Sequence, residues 1–122
     1  MNDKSEDIYE VYKNEAMEIL RKMRISCERL KERTDEHTVS EIMGCSHKIK
    51  GVAGMMDYSH IAELAEQMES LSKLLVEGKL QLRPEIVAVL VESVNLLAKY
   101  IETDFDERDP TLLERLRRLS NP

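Results

Sequence analysis

Tryptophan is absent from this chain, phenylalanine occurs once and tyrosine four times. Sheet-rich cores draw heavily on aromatic and β-branched side chains, so this scarcity argues against an all-β fold. Cysteine occurs only at Cys27 and Cys45, too few for a disulfide framework. With no signal peptide to be seen, both are expected as reduced thiols in the cytoplasm. The most apolar run, Ile86 to Ala98, is short and interrupted by Glu92, Ser93 and Asn95, so no membrane insertion is expected. A basic excess is missing too: the net charge is −6, and the cluster Arg115, Arg117 and Arg118 is too short to form a binding stripe. A nucleic-acid partner is therefore not expected.

Metal-ligand spacings are lacking as well. There is no C-x-x-C, no H-E-x-x-H and no Glu-x-x-His pair. Cys45 and His47 stand two residues apart and would project from nearly opposite sides of a helix. Gly51-Val52-Ala53-Gly54 lies inside a helical pattern and follows no strand, so it is not a nucleotide loop. No metal or bound cofactor is expected.

What the chain has is Leu, Met, Ile, Glu, Lys and Arg in abundance, a mixture that favours helix. Five segments carry apolar residues three and four apart, at roughly 6–32, 37–56, 59–77, 84–104 and 110–119. The first stripe runs through Ile8, Tyr12, Ala16, Ile19, Met23, Cys27 and Leu30. Thr38 and Glu41 have capping-box spacing for the second helix, although Asp35 could start it earlier. Its stripe is Val39, Ile42, Ser46, Ile49, Ala53 and Met56, and the third helix follows with Ile61, Leu64, Met68, Leu71 and Leu75. Gly78 suits a C′ position, Pro84 a first turn, and Asp109-Pro110 a cap followed by a first-turn proline. The expected fold is all-α: an antiparallel up-down four-helix bundle with a short C-terminal fifth helix, in one domain over residues 1–122.

Three of the four glycines, Gly44, Gly51 and Gly54, lie at i−3, i+4 and i+7 from His47. All share its face of the second helix. An interior glycine costs about 1 kcal/mol relative to alanine, so three on one stripe point to something approaching the backbone beside an uncovered imidazole. Gly51 and Gly54 could instead serve only close helix packing. A neutral ring nitrogen is nucleophilic near pH 7, and it presents its lone pair outward if the other nitrogen is held as a donor. Glu66 and Glu69 on the third helix are candidates for that acceptor, and otherwise form an ordinary solvated face. Lys50, at i+3, would stand over the same face and attract phosphoryl oxygens. Lys48 points away, and His37 and His60 are expected at the surface.

The run His47-Lys48-Ile49-Lys50-Gly51-Val52-Ala53-Gly54 resembles the H-x-x-K-G-x-(A/S)-(G/A) signature of histidine-containing phosphotransfer (HPt) domains. Ile61 to Glu69 is similar to that family's third helix, and the five-helix order looks most like the CheA-type members of chemotaxis kinases. The resemblance implies a phosphocarrier in a two-component phosphorelay. His47 would be phosphorylated through Nε2, Lys50 would assist electrostatically, Gly51 would leave the approach open, and Glu69 would hydrogen-bond Nδ1. It implies a histidine kinase catalytic domain and a response-regulator receiver domain as partners, with ATP and Mg²⁺ on those partners and no independent catalysis here. The chain departs from CheA-type domains at Gly44, often arginine there, at Glu66, sometimes histidine, and at Asp57, usually glycine. The competing reading is a helical interaction module, never phosphorylated, that binds a partner through the groove beside helices two and three.

Overall fold

The computed structural model describes residues 4–33 and 35–121, with side chains from residue 8 onward. Five helices follow in order: α1 (Lys4–Glu32), α2 (Glu36–Met55), α3 (Ser59–Val76), α4 (Pro84–Glu102) and α5 (Pro110–Ser120). Among the described residues there is no strand. Helices α1 to α4 form the up-down bundle, each packed on its sequence neighbour and α4 returning to α1. The shorter α5 lies against α3 and α4. No helix among the described residues is long and apolar enough to cross a membrane.

The apolar stripes meet in one core. Leu20 and Met23 from α1, Ile42 and Ile49 from α2, Leu64 and Met68 from α3, and Leu90 and Leu97 from α4 are all essentially inaccessible. Each such side chain contributes about 1.5–3 kcal/mol by leaving water. Two of the serines in this core return their hydroxyls to the helix: Ser46 Oγ donates to Ile42 O at 2.8 Å, and Ser93 Oγ donates to Val89 O at 2.7 Å.

Three expectations need correction. Ile8, placed on the buried stripe, is 52% exposed. The 29 residues of α1 span about 43 Å, whereas the 20 of α2 span about 30 Å, so α1 outruns the bundle at its N-terminal end. Thr38 and Glu41 do not form a capping box. Asp35 is the N-cap, accepting from the His37 N–H at 3.0 Å, while Thr38 is buried inside the helix. Glu41 instead ties helices together, accepting from Ser26 Oγ of α1 at 2.8 Å. Finally, α4 stops at Glu102 rather than at residue 104, where Thr103 Oγ1 donates to Lys99 O.

Two matching turns set the length of α3. At its C-terminus Gly78 N–H reaches Leu75 O and Lys79 N–H reaches Leu74 O, with Gly78 at φ +73°. The end of α2 repeats this pattern: Asp57 N–H reaches Gly54 O, and Tyr58 N–H reaches Ala53 O. Both are Schellman closures, which need a left-handed residue at C′. In the second that residue is Asp57, at φ +59°. A left-handed conformation costs an ordinary L-residue about 1–2 kcal/mol, less for aspartate, and nothing for glycine. Asp57→Gly is therefore expected to raise stability by about 0.5–1 kcal/mol, measured as a higher urea midpoint at unchanged slope.

Candidate functional site

The α2–α3 hairpin brings the middle of each helix face to face, and it is the most extensive helix pair in the bundle. On α2 the turn around residue 47 is divided sharply. Ser46 and Ile49 point into the core, while His47 carries 67% of its side-chain surface in solvent.

Glu69 of α3 reaches it from across the hairpin. His47 Nδ1 lies 2.7 Å from Glu69 Oε2, twenty-two residues away in the chain. The other oxygen of the same carboxylate accepts from Lys50 Nζ at 2.8 Å. One carboxylate thus holds two side chains from successive turns of the facing helix. Partial burial pushes the Glu69 carboxyl upward, but the hydrogen bonds from Lys50 and His47, with their charges, outweigh it and hold the group below its usual 4.5. The Glu69 hydrogen bond likewise raises the Lys50 ammonium above its ordinary value, with Glu66 adding a smaller pull. A carboxylate ionised at neutral pH can only accept, so Nδ1 of His47 carries the proton. In the neutral ring Nε2 then bears the lone pair, and among the described residues nothing hydrogen-bonds it.

Lys50 stands on the histidine's side of α2, and one of its three donors is engaged by Glu69. Glu66 is exposed one turn before Glu69 and makes no ion pair among the described residues. The glycines answer the packing alternative directly. A Cβ built on Gly44, Gly51 or Gly54 would meet nothing within 4 Å, so close helix contact does not require them. Gly51 and Gly54 are exposed and Gly44 half-buried, leaving bare backbone on the histidine's side of α2.

The other titratable candidates fall elsewhere. His37 is exposed and pairs with Glu41 at 2.9 Å. His60 corrects the surface expectation: its ring packs edge-on against Tyr100, centroids 4.7 Å apart, and near Tyr58. The sequence shows no periodic signal for that cluster, because its members come from distant segments. Among the described residues no group of three or more His, Cys, Asp or Glu side chains is placed to hold a metal ion.

A bundle whose second helix offers an uncovered imidazole, steadied by a carboxylate of the third, is the architecture of a phosphotransfer domain. The sequence model of the Hpt domain family matches residues 7–119, and the chain belongs to that family. Family membership implies phosphotransfer in two-component signalling. Among curated proteins the chain is similar to Chemotaxis protein CheA of Salmonella typhimurium, 25% identical over 105 residues. That match covers 85% of this chain and 16% of the relative, so the chain spans about a sixth of that protein's length.

Replacing Glu69 with glutamine tests the carboxylate clamp. Glu69→Gln is expected to mix the two ring tautomers of His47, read by ¹⁵N shifts of the imidazole nitrogens, with helical content unchanged. The pH dependence has a definite sign. A carboxyl depressed in the folded state stabilises fully above its unfolded value, near 4.5, and loses that contribution as pH falls through the lower folded value. The stability gap between wild type and Glu69→Gln should therefore be present at neutral pH and close in acid.

Proposed function

We propose that His47 is the phosphoacceptor of this domain, receiving a phosphoryl group from an ATP-dependent histidine kinase domain and passing it to an aspartate of a response-regulator receiver. The observation that carries this reading is the Nδ1–Glu69 hydrogen bond at 2.7 Å on a ring that is 67% exposed. It leaves Nε2 as an accessible nucleophile with no proton to lose.

The Nε2 lone pair forms a bond to the terminal phosphorus of the kinase-bound nucleotide. The bond from that phosphorus to the bridging oxygen breaks, and its electron pair leaves on ADP. Nδ1 keeps its proton throughout, and Glu69 balances the positive charge that develops on the ring. In the second transfer a receiver carboxylate oxygen bonds to phosphorus, and the nitrogen–phosphorus electron pair returns to Nε2. Lys50, held beside the ring, places an ammonium near the phosphoryl oxygens. Mg²⁺ and ATP belong to the partner domains, which supply most of the electrostatic stabilisation. A chemotaxis-type system, in the cytoplasm, is the setting favoured by the similarity to CheA.

Incubation with a cognate kinase domain, ATP and Mg²⁺ is expected to add one phosphoryl group by intact mass, labile in acid and stable in base. His47→Gln should abolish it. Retention of the label in that variant would sink the assignment, and a wild type that takes up none would point to the pure interaction module.

Gly51→Leu separates access from folding. The open space around Gly51 admits a side chain, so the variant should gain about 0.5–1 kcal/mol of stability from better helix propensity. Phosphotransfer should nevertheless slow by roughly ten-fold or more, since a misplacement of about 1 Å at a reacting centre can already lose two orders of magnitude. Stopped-flow transfer rates alongside urea denaturation check both halves.

A further inference from the structure

The chain has five Tyr and Phe residues in all, and every one of them lines the same cavity. Tyr9 and Tyr12 come from α1, Tyr58 from the α2–α3 turn, and Tyr100 and Phe105 from the end of α4 and the loop beyond it. His60 completes the wall. The rings form a continuous series: Tyr9 meets Tyr58 edge-on at 6.5 Å, Tyr58 meets His60 at 5.9 Å, His60 meets Tyr100 at 4.7 Å, and Tyr100 stacks on Phe105 at 5.8 Å. The cavity holds about 340 Å³ and lies at the end of the bundle where α2 turns into α3. That volume is within the range of small-molecule sites, which begin near about 300 Å³.

Of these aromatics only Tyr100 is a buried core residue, its hydroxyl donating to Glu107 O at 2.7 Å. Elsewhere the interior is filled mainly by Leu, Ile, Val, Met and Ala, with Cys27 and a few small hydroxyl residues, and the aromatics gather only where a space is left between the helices. The polar part of the lining is unbalanced: Asp57, Asp104 and Asp106 against the single ammonium of Lys13. None of the three aspartates forms an ion pair among the described residues. Burial holds the His60 imidazole below its ordinary value, so at neutral pH it adds no opposing charge. Burial and the neighbouring Tyr9 phenol push the Tyr58 hydroxyl up to about 12, so the phenol stays neutral as well. The Phe105 ring already receives a cation, with Lys99 Nζ 3.9 Å from its centroid. Asp57 adds its carboxylate from a left-handed backbone position where glycine would strain less.

From this juxtaposition we propose that the aromatic cavity at the α2–α3 end of the bundle is a binding site for a small organic cation, an alkylammonium or guanidinium group. Ring faces attract such a cation through their quadrupoles while the acidic rim supplies the counter-charge. Ile49, Val52 and Ala53 form part of the wall, so the site lies on the core side of the α2 turns that present Lys50 and Gly51 outward. The same chemistry could come from a free quaternary amine or from a basic side chain of a bound protein. The site stands independently of whether His47 is phosphorylated.

Titration of the ¹⁵N-labelled chain with choline, with its neutral isostere carrying carbon in place of the quaternary nitrogen, and with N-acetyl-arginine amide tests the site. Amide shifts should concentrate at residues 9–16, 52–61 and 100–106, with the neutral isostere roughly ten-fold weaker than the cations. A preference for choline assigns the site to a free amine, and a preference for the arginine derivative assigns it to a partner's side chain. Asp57→Gly should weaken cation binding several-fold although it makes the fold more stable, and Asp104→Asn with Asp106→Asn should do the same at exposed positions. Equal binding of the neutral isostere, equal affinity in the aspartate variants, or no shift at any of the three segments would overturn the proposal.

Discussion

The Glu69 carboxylate is the point at which fold and chemistry join. Its two oxygens are used for different purposes: one accepts from His47 Nδ1 at 2.7 Å, the other from Lys50 Nζ at 2.8 Å. The first contact selects the ring tautomer, and the second keeps a cation beside the ring. Neither works unless α3 presents residue 69 opposite residues 47 and 50 of α2. That register is set by the Schellman closure at Asp57, which ends α2 in a single turn and starts α3 at once. A longer connection would let the helices slide, and a slip of one helical turn, about 5.4 Å, exceeds what a hydrogen bond can span.

Helix α2 is built with two unlike faces, and the contrast explains its composition. Ile42, Ser46, Ile49 and Ala53 are buried and hold the helix on the bundle. The opposite side carries His47, Gly51 and Gly54 in solvent, where glycine weakens the helix and packing does not ask for it. The stability forgone there is offset by the core beneath, which buries large aliphatic side chains from α1, α3 and α4 around this stretch. Exposed glycine beside an uncovered imidazole is thus consistent with a surface shaped for the approach of another molecule, not for maximal stability.

Legibility divides along physical lines. Apolar spacing follows from helix geometry and needs no partner, so the stripes of α2 and α3 were readable residue by residue, from Val39 to Ala53 and from Ile61 to Leu75. Ile8 was misread because periodicity reports which face is apolar and not whether a neighbouring helix extends far enough to cover it. Thr38 was misread as a cap because its spacing to Glu41 is right, while Asp35 also offers a good oxygen acceptor three residues earlier. His60 looked like a surface residue since its neighbours Tyr58 and Tyr100 are united only by the turn of the bundle.

Local order therefore decided a great deal before any packing: five helices, their caps at Asp109 and Gly78, the polar break at each connection, and a histidine flanked by glycines and lysine on one face. These depend on contacts within a few residues, which spacing encodes directly. What required the assembled bundle was choice among equals. Glu66 and Glu69 are both acidic and one turn apart, yet only Glu69 meets the imidazole, because the hairpin register brings that turn opposite residue 47. The gathering of all five Tyr and Phe rings at one end is of the same kind, since positions 9, 12, 58, 100 and 105 become neighbours only when four helices close around a common axis.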